Sequence, residues 1–271
     1  MRSLLVAAAL AALAGPPARA QQGVPTALRE IGFDQKLGGE VPLDLRFRDE
    51  RGRDVALRDY FGARPVVLSL NYYGCPMLCT VTLNGLASAL DVLTSFDVGR
   101  EFEVVTVSFD PKEGPPLAAK KKAQHLGRYK RPTADAGWHF LTGDQAAIDA
   151  LTKAVGFRYA WDEETRQFAH PAGVVVLTPE GRISRYLYGI EYAPKDLKFA
   201  LMESARGRIG SFVEQAILYC YRYDPMTGRY SASIMRVMRT GAILTVLGLV
   251  AFVSLSLFRE RSAPAATEGG R

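Results

Sequence analysis

Hydrophobic positions in the middle of the chain switch between the two periods typical of strands and helices. Residues 66–72 and 102–109 are runs of β-branched and aromatic side chains bounded by glycine, proline or arginine, which predicts two strands. Apolar positions spaced three or four residues apart predict helices at 83–93 and 116–129, one after each strand, and a further helix at 146–155. The middle of the chain is therefore expected to alternate strands with helices.

Two hairpins complete the predicted pattern. Residues 173–178 and 182–188 flank a Pro-Glu-Gly turn, and a shorter N-terminal hairpin joins 43–47 to 55–57. A last helix is predicted from Pro194. This order of elements predicts an α/β fold, a thioredoxin-like mixed sheet flanked by helices. No glycine-rich phosphate loop follows a predicted strand, which argues against a nucleotide-dependent enzyme.

The start of the chain has the pattern of an export signal. Residues 4–14 are apolar, Arg2 precedes them, and Ala18 and Ala20 form an A-x-A site. Together these features predict a secretory signal peptide that is cleaved after Ala20. Eleven apolar residues would cover about half of a ~30 Å bilayer core, so an uncleaved anchor is disfavoured.

Residues 240–258 form a second apolar stretch, nineteen residues without a charge between arginines on both sides. As a helix it would be about 28 Å long, close to one bilayer core, so it predicts a single C-terminal transmembrane helix. A helix buried in a globular core is disfavoured because the stretch has no polar face. The arginines on the two flanks nearly balance, so we expect the signal peptide to set the orientation. The predicted location is the inner (cytoplasmic) membrane, single-pass, with the soluble domain in the periplasm.

These predictions divide the chain into six segments. They are a signal peptide (1–20), an N-terminal extension (21–42), a thioredoxin-like domain (43–207), a juxtamembrane segment (208–239), a transmembrane helix (240–258) and a short tail (259–271). The juxtamembrane segment is rich in arginine, which favours contact with lipid headgroups.

Composition and charge narrow the function. The 271 residues are 48% hydrophobic and 23% charged, which fits a folded globular protein and excludes a mainly disordered one. Without the signal peptide, the formal charge falls from +6 to +4, because 32 basic residues then face 28 acidic ones. So small a surplus argues against a nucleic-acid partner. A chain of this length can fill a core without disulfides, so its three cysteines are available for chemistry.

The sharpest chemical signal is the pair Cys75 and Cys79, in Asn-Tyr-Tyr-Gly-Cys-Pro-Met-Leu-Cys, where a predicted strand ends and a helix begins. Pro76 suits the first position of that helix. Residues four apart share a helix face, with β-carbons about 5–6 Å apart, so both sulfurs can reach one ion. We expect the helix N-terminus to lower the pKa of the thiols and to favour thiolates.

Such a pair favours a thiophilic ion such as Cu(I), or a reversible disulfide. A structural disulfide is the alternative, and it is the default for cysteine pairs in an oxidising compartment. A bridge between Cys75 and Cys79 would close a very short loop, however, and would stabilise the fold little.

Four segments of the chain, in consistent order, resemble the SCO/SenC family. They are NYYGCPMLC (71–79), SFDP (108–111), WHFLTG (138–143) and His170 followed by GVVVLTPEGR (173–182). The resemblance spans about residues 43–202 and implies a thioredoxin fold in a membrane-tethered copper metallochaperone. It further implies assistance in assembling the dinuclear copper centre of cytochrome c oxidase subunit II, with that subunit or its assembly factors as partners. By position, the resemblance assigns Cys75, Cys79 and His170 as copper ligands.

The chemistry of these three residues agrees with that assignment. Two thiolates and one neutral imidazole suit three-coordinate Cu(I) and can accept Cu(II) with an added ligand, so we expect an open site. His170 precedes a predicted hairpin at the sheet edge that should face the helix carrying Cys79. A solvent-exposed loop histidine would be the better interpretation if the cysteine motif were absent.

Asp110 follows the second predicted strand, at the same edge of the sheet as Cys75. It could orient a ligand or ease metal transfer from just outside the ligand set. It could equally be the first residue of an Asp-Pro turn, and we weigh the two interpretations equally. The family often has a further acid a few positions later, where this chain offers only Glu113, so the resemblance assigns no role to a second acid.

Three other conspicuous residues are expected to be structural. His139 lies between two aromatic residues and fits a strand residue with structural hydrogen bonds. His125 follows three lysines and fits a solvated basic face of a helix. Cys220 lies outside the matched region, where it could be a free thiol or an intermolecular partner. A small buried apolar residue among aromatics is the favoured interpretation of Cys220.

The predicted function is therefore copper binding and delivery. The alternative is a thiol:disulfide oxidoreductase that reduces the cysteines of the oxidase copper site, with Cys75 and Cys79 as the catalytic redox pair and His170 dispensable. Dedicated reductases usually have two residues between their cysteines, whereas this chain has three, which favours metal binding. A peroxidase would need an activating partner that we cannot assign.

Overall fold

The computed structural model describes these stretches of the chain: 31–75, 78–209, 223–224, 229–230 and 232–261. The predicted signal peptide, Pro76 and Cys220 lie outside the described residues. The chain divides into two compact units, Met1–Ile209 and Gly210–Arg271, and each is described by itself.

Short strands and helices alternate along the described residues. The strands are β1 (Gly32–Phe33), β2 (Arg46–Arg48), β3 (Asp54–Ala56), β4 (Val66–Asn71), β5 (Glu103–Ser108), β6 (Trp138–Leu141), β7 (Phe157–Arg158), β8 (Ala160–Asp162), β9 (Gln167–Ala169), β10 (Gly173–Leu177), β11 (Ile183–Tyr188), β12 (Tyr223–Asp224) and β13 (Arg229–Tyr230). The α-helices are α1 (Leu78–Val92), α2 (Pro115–Arg128), α3 (Ala134–Gly137), α4 (Gln145–Ala154), α5 (Pro194–Ser204) and α6 (Ala232–Arg261). The predicted order of strands and helices in the first unit is confirmed.

A five-stranded mixed sheet forms the centre of the first unit, in the order β11-β10-β4-β5-β6. Strands β4, β5 and β6 run parallel because helices connect them, whereas β10 pairs antiparallel with both β4 and β11. Every residue of β4 and β10 is buried, as expected for strands that are covered on both faces. The predicted α/β architecture is thus found, and it fits a thioredoxin-like fold.

Two separate cores cover the sheet, and neighbouring residues of one strand face opposite cores. Leu68 and Leu70 of β4 pack in the core that also contains Cys75 and Cys79. Val67, between them in sequence, packs with the leucines of α1 in the other core. This alternation follows from the two-residue period of a strand.

The predicted N-terminal hairpin is confirmed by β2 and β3, which pair antiparallel. Phe47 at its centre is buried in the core that contains the cysteines. Arg48 also exchanges two backbone hydrogen bonds with Thr142, just beyond β6, at 2.7 and 2.8 Å. The hairpin is therefore tied to the edge of the central sheet.

Helix α1, which carries Cys79, packs tightly on both sides. Its predicted core residues Leu83 and Leu86 are buried against the sheet. A Cβ on Gly85 would lie 1.8 Å from the carbonyl oxygen of Ile190, so this position has no room for a side chain. This close approach holds α1 against the loop between β11 and α5.

The interpretation of His125 as a solvated residue is wrong. Its side chain is 1% exposed, and its ring stacks on Trp138 and Phe140 with centroids 6.1 and 6.0 Å apart. Neither ring nitrogen has a hydrogen-bond partner within the described part of the chain. Burial lowers the pKa of His125 to about 4, and the charges of Lys121 and Arg128 add to the effect.

The helical period of α2 explains this correction. Ala118, Lys122, His125 and Tyr129 are all buried, and they are spaced four, three and four residues apart on one face. Lys122 is accommodated because its Nζ lies 2.6 Å from a carboxylate oxygen of Glu50. One of the three lysines thus belongs to the buried face, and His125 follows it one turn later.

His139 is the strand residue that its neighbours predict. It lies in β6, with its ring 4.3 Å from the ring of Tyr60. Its Nε2 lies 3.4 Å from a carboxylate oxygen of Glu103. These contacts serve packing at β6, an edge strand of the central sheet.

In the second unit, β12 pairs antiparallel with β13, and α6 contains the predicted span 240–258. A search of the described residues finds no helix that is both long and apolar enough to cross a membrane. The signal peptide and the transmembrane helix stay predictions from the sequence.

We predict that His125 destabilises the protein in acid. The unfolded chain takes up a proton at this histidine near its ordinary pKa of about 6.5, whereas the folded protein does so near pH 4. Stability should therefore fall as the pH drops below about 6.5, by up to about 3 kcal/mol from this group. Urea unfolding from pH 7.5 to 4.5 measures it. His125→Phe should flatten the pH dependence and His139→Gln should keep it, and equal slopes for all three proteins would contradict the prediction.

Candidate metal centre

Three potential ligands converge at one edge of the central sheet. Cys75 follows β4, Cys79 is the second residue of α1, and His170 lies between β9 and β10. Because β10 is antiparallel to β4, with Val174 opposite Ser69, the start of β10 lies beside the end of β4. The register therefore brings His170 to the cysteine loop across about ninety residues of sequence.

The ligand atoms of Cys75, Cys79 and His170 all lie within 4.8 Å of one another. Cys79 Sγ is 3.2 Å from His170 Nε2. Cys75 and Cys79 are not joined by a disulfide in the structure. The prediction that these three side chains lie close together is confirmed.

Neighbouring polar groups orient the three side chains. His170 Nδ1 lies 3.1 Å from the carbonyl oxygen of Pro171, which can only accept, so Nδ1 is the protonated nitrogen and Nε2 is left as the ligand atom. The Tyr72 amide donates to Cys79 Sγ, and the Cys79 amide donates to Cys75 Sγ, both at 3.4 Å. These amides favour negative charge on the sulfurs when a cation is bound.

The centre is buried and walled by aromatic rings, and the open coordination position stays a prediction. Cys75, Cys79 and His170 are 6%, 3% and 6% exposed. The rings of Tyr72, Phe109 and Phe157 surround the imidazole of His170, with centroids 5.8, 5.2 and 6.3 Å away. The short side chains lie beneath these larger rings, which exclude water from the sulfurs.

The expectation of an acidic thiol at the helix N-terminus is wrong for Cys79. Burial raises the pKa of this thiol well above its ordinary value, and its interaction with the Cys75 side chain raises it further. A helix N-terminus contributes about 0.3–1 kcal/mol, whereas one pKa unit corresponds to about 1.4 kcal/mol. Desolvation of the sulfur therefore outweighs the helix dipole.

Asp110 lies near this edge, and its hydrogen bonds are those of a turn. Its Oδ1 accepts from the Lys112 amide at 2.9 Å, and its own amide donates to Ser108 Oγ at 3.2 Å. These contacts support the Asp-Pro turn. A role for Asp110 in metal transfer stays a prediction.

Two residues that the sequence analysis did not select belong to this centre. Tyr72 donates its amide to Cys79, packs against His170, and forms a side-chain hydrogen bond with Cys75. Glu113 accepts hydrogen bonds from the amides of the two residues before Cys75. An aromatic residue directly before the cysteine loop was the available signal for Tyr72, whereas the bonds to Glu113 depend on tertiary contacts.

The profile of the SCO1/SenC family matches residues 35–202, more than half of the chain. No curated protein sequence matches the chain.

Solved structures share the fold. A crystal structure of a proposed electron transfer protein from Aquifex aeolicus VF5 is 29% identical, with a TM-score of 0.57, and the match covers 64% of this chain and 96% of that one. A second Aquifex aeolicus VF5 structure, of a proposed electron transport protein, is 28% identical with a TM-score of 0.53, covering 64% and 100%. Arabidopsis thaliana ScoI, crystallised with copper bound, is 19% identical with a TM-score of 0.50, covering 64% and 99%.

We predict that Cys79 reacts slowly with alkylating reagents in the reduced, metal-free protein. The raised pKa of Cys79 leaves less thiolate at pH 8 than a free cysteine has, and the sulfur is shielded from the reagent. Iodoacetamide labelling followed by peptide mass mapping separates Cys79 from Cys75 and Cys220. Cys79 should label at least about tenfold more slowly in the folded protein than in urea, because thiolate is the reacting form. Equal rates in the two states would contradict the prediction.

Proposed function

Because the chain belongs to the SCO1/SenC family, we propose that it is a copper-binding metallochaperone. Its copper ligands in this proposal are Cys75, Cys79 and His170. The observation that carries the proposal is the buried cluster of two sulfurs and one imidazole nitrogen within 4.8 Å. Copper is the cargo of such a protein rather than a permanent cofactor.

The donor set fits copper better than other common ions. Thiolate sulfur and imidazole nitrogen are soft or intermediate donors that favour Cu(I), which accepts low coordination numbers. A structural zinc site would need four protein ligands, and the cluster in the described residues has three. Calcium and magnesium prefer oxygen ligands, which this cluster lacks.

The buried thiols make copper binding a proton-coupled event. Cys79 must lose its proton to become a ligand, and burial holds that proton in the absence of a cation. A bound cation supplies the charge that compensates the desolvated thiolate. Copper affinity should therefore rise with pH, and acid should favour release.

We further propose that the recipient is the dinuclear copper centre of cytochrome c oxidase subunit II, reached directly or through an assembly factor. Family membership supports this recipient. The small surplus of positive charge offers no reason to add a nucleic-acid partner.

The proposed location is the periplasmic face of the inner membrane. Its support is the sequence alone: the export signal in residues 1–20 and the apolar stretch 240–258. A tether would keep the copper domain beside membrane-bound recipients and would raise their effective concentration.

A thiol:disulfide oxidoreductase is the second candidate function. Its support is that the two sulfurs lie close together and are not joined by a disulfide. The reduced pair would pass two electrons and two protons to a disulfide in the recipient copper site, and Cys75 and Cys79 would form a disulfide. In this reaction His170 is not required.

We predict that the full chain binds about one Cu(I) with all three ligands, as the three-donor cluster requires. His170→Ala should weaken binding at least about tenfold, the smallest loss typical of changes around a metal site. Competition with a chromophoric Cu(I) chelator measures the affinity, and His139→Gln is the matched control because His139 lies outside the cluster. Failure of the reduced protein to bind copper would refute the metallochaperone. Unchanged reduction of a disulfide peptide by His170→Ala, without copper binding by the wild type, would support the reductase.

We predict that residues 240–258 anchor the protein, because their sequence is uncharged over nineteen residues, about the length that a transmembrane helix needs. In a Gram-negative host, the full chain should stay in the membrane pellet after alkaline carbonate extraction. A chain that ends at Arg239 should appear in the periplasmic fraction, and mass spectrometry should find Gln21 at its N-terminus. Recovery of the full chain in the soluble fraction would contradict the anchor.

A further inference from the structure

Glu113 reaches the cysteine loop from the segment between β5 and α2. Its Oε2 accepts from the Tyr73 amide at 2.7 Å, and its Oε1 accepts from the Gly74 amide at 2.5 Å. Ser108 Oγ lies 2.5 Å from Oε2 and donates a third hydrogen bond. One carboxylate therefore joins two consecutive peptide groups that immediately precede Cys75.

Removing this carboxylate from water is unfavourable, so its half-buried position indicates that specific hydrogen bonds hold it there. Glu113 is half-buried, and burial raises the pKa of its carboxyl group, while the three donors act in the opposite direction. Hydrogen bonds to a charged group are stronger than neutral ones, and they compensate for the lost water. A residue that served only as a loop side chain would reach solvent instead.

The Tyr73 side chain fixes the same loop from the opposite side. Its hydroxyl donates toward the carbonyl oxygens of Thr106 and Leu141, at 3.0 and 2.8 Å, and the ring is buried. The backbone of Tyr73 is thus held to Glu113, while its side chain is held to β5 and β6. Two sets of hydrogen bonds, those of the Glu113 carboxylate and those of the Tyr73 hydroxyl, therefore fix the loop that leads to Cys75.

The backbone next to Tyr73 and Gly74 contacts the candidate ligands directly. The Cys75 amide donates to the Tyr72 carbonyl oxygen at 3.2 Å, and the Tyr72 amide donates to Cys79 Sγ at 3.4 Å. A Cβ on Gly74 would lie 3.1 Å from Glu113 Oε1, so glycine at this position leaves room for the carboxylate. A shift of the Tyr73–Gly74 peptides would therefore move Cys75 relative to Cys79.

We propose that Glu113 is a positioning residue of the metal centre: by holding the Tyr73 and Gly74 amides, it fixes Cys75 Sγ at binding distance from Cys79 and His170. The inference rests on the proposed copper function. It assigns a role to the second acid that the sequence left without one. It also couples the start of α2, two residues after Glu113, to the geometry of the cysteine loop.

The test compares Glu113→Gln with Glu113→Asp in the full chain. Glutamine keeps the size of the side chain, but its amide nitrogen cannot accept from the second peptide amide. Cu(I) affinity should fall about tenfold, and the thiolate-to-Cu(II) absorption and EPR signals should change, with about one copper still bound. Aspartate keeps the charge but has a shorter reach, so it should restore part of the affinity. Glu180→Gln, at an exposed position of the turn between β10 and β11, is the matched control and should resemble the wild type.

Ser108→Ala is a milder second variant that keeps the test valid if Glu113→Gln does not fold. It removes one hydrogen bond from Glu113 and leaves the carboxylate in place. It should shift affinity and spectra in the same direction by a smaller factor. A lower melting temperature for Glu113→Gln, with wild-type affinity and spectra, would show a purely structural role and overturn the inference.

The failure of the proposed function is a separate outcome. If the wild type binds no copper, the metallochaperone proposal fails whatever Glu113 does. The positioning role is then judged by the equilibrium of the Cys75–Cys79 pair with a glutathione buffer. A tenfold change in that equilibrium for Glu113→Gln, about 30 mV, would support positioning, and an unchanged equilibrium would overturn it.

Discussion

The structure depends on burying two thiols and an imidazole while still giving their polar atoms interaction partners. Removing sulfur and nitrogen donors from solvent is unfavourable unless hydrogen bonds or a cation replace the lost water. The backbone amides of Tyr72 and Cys79 donate hydrogen bonds to the sulfurs, and the Pro171 carbonyl oxygen accepts one from Nδ1 of His170. If the thiols lose their protons, the remaining requirement is positive charge, which a bound soft cation would supply. The aromatic wall and the raised pKa of Cys79 are two consequences of the same desolvation.

Burial of the thiols also affects how such a centre would bind and release a metal ion. A thiol that holds its proton in the empty protein competes with the metal, so binding and deprotonation are one equilibrium. A protein that delivers copper must bind it tightly enough for transport and weakly enough for transfer. A three-donor site with a proton-retaining ligand meets both needs better than a closed four-ligand site does. In the proposed metal centre, the hydrogen bonds of Glu113 and Tyr73 would hold the cysteine loop in place for binding.

Patterns in the sequence predicted much of the fold because the signals are local. Leu83 and Leu86 follow a helical period, and the segments 66–72 and 102–109 are rich in β-branched and aromatic residues, which is typical of strands. The hairpin of β10 and β11 was predicted by its turn residues. His125 was misassigned because three adjacent lysines suggested a solvated face, whereas the position of a residue on a helix depends on the period of the whole stripe.

For the metal centre, the sequence determined which residues take part: the spacing of Cys75 and Cys79 and the resemblance carried by the surrounding motifs selected them together with His170. Tertiary structure decided their environment. The antiparallel register of β10 on β4 brings His170 to the cysteines, and rings from four separate segments close over them. Desolvation depends on the sum of all neighbouring atoms, and those atoms come from residues far apart in the chain. For that reason the raised pKa of Cys79 and the hydrogen bonds of Glu113 could not be predicted from motif spacing.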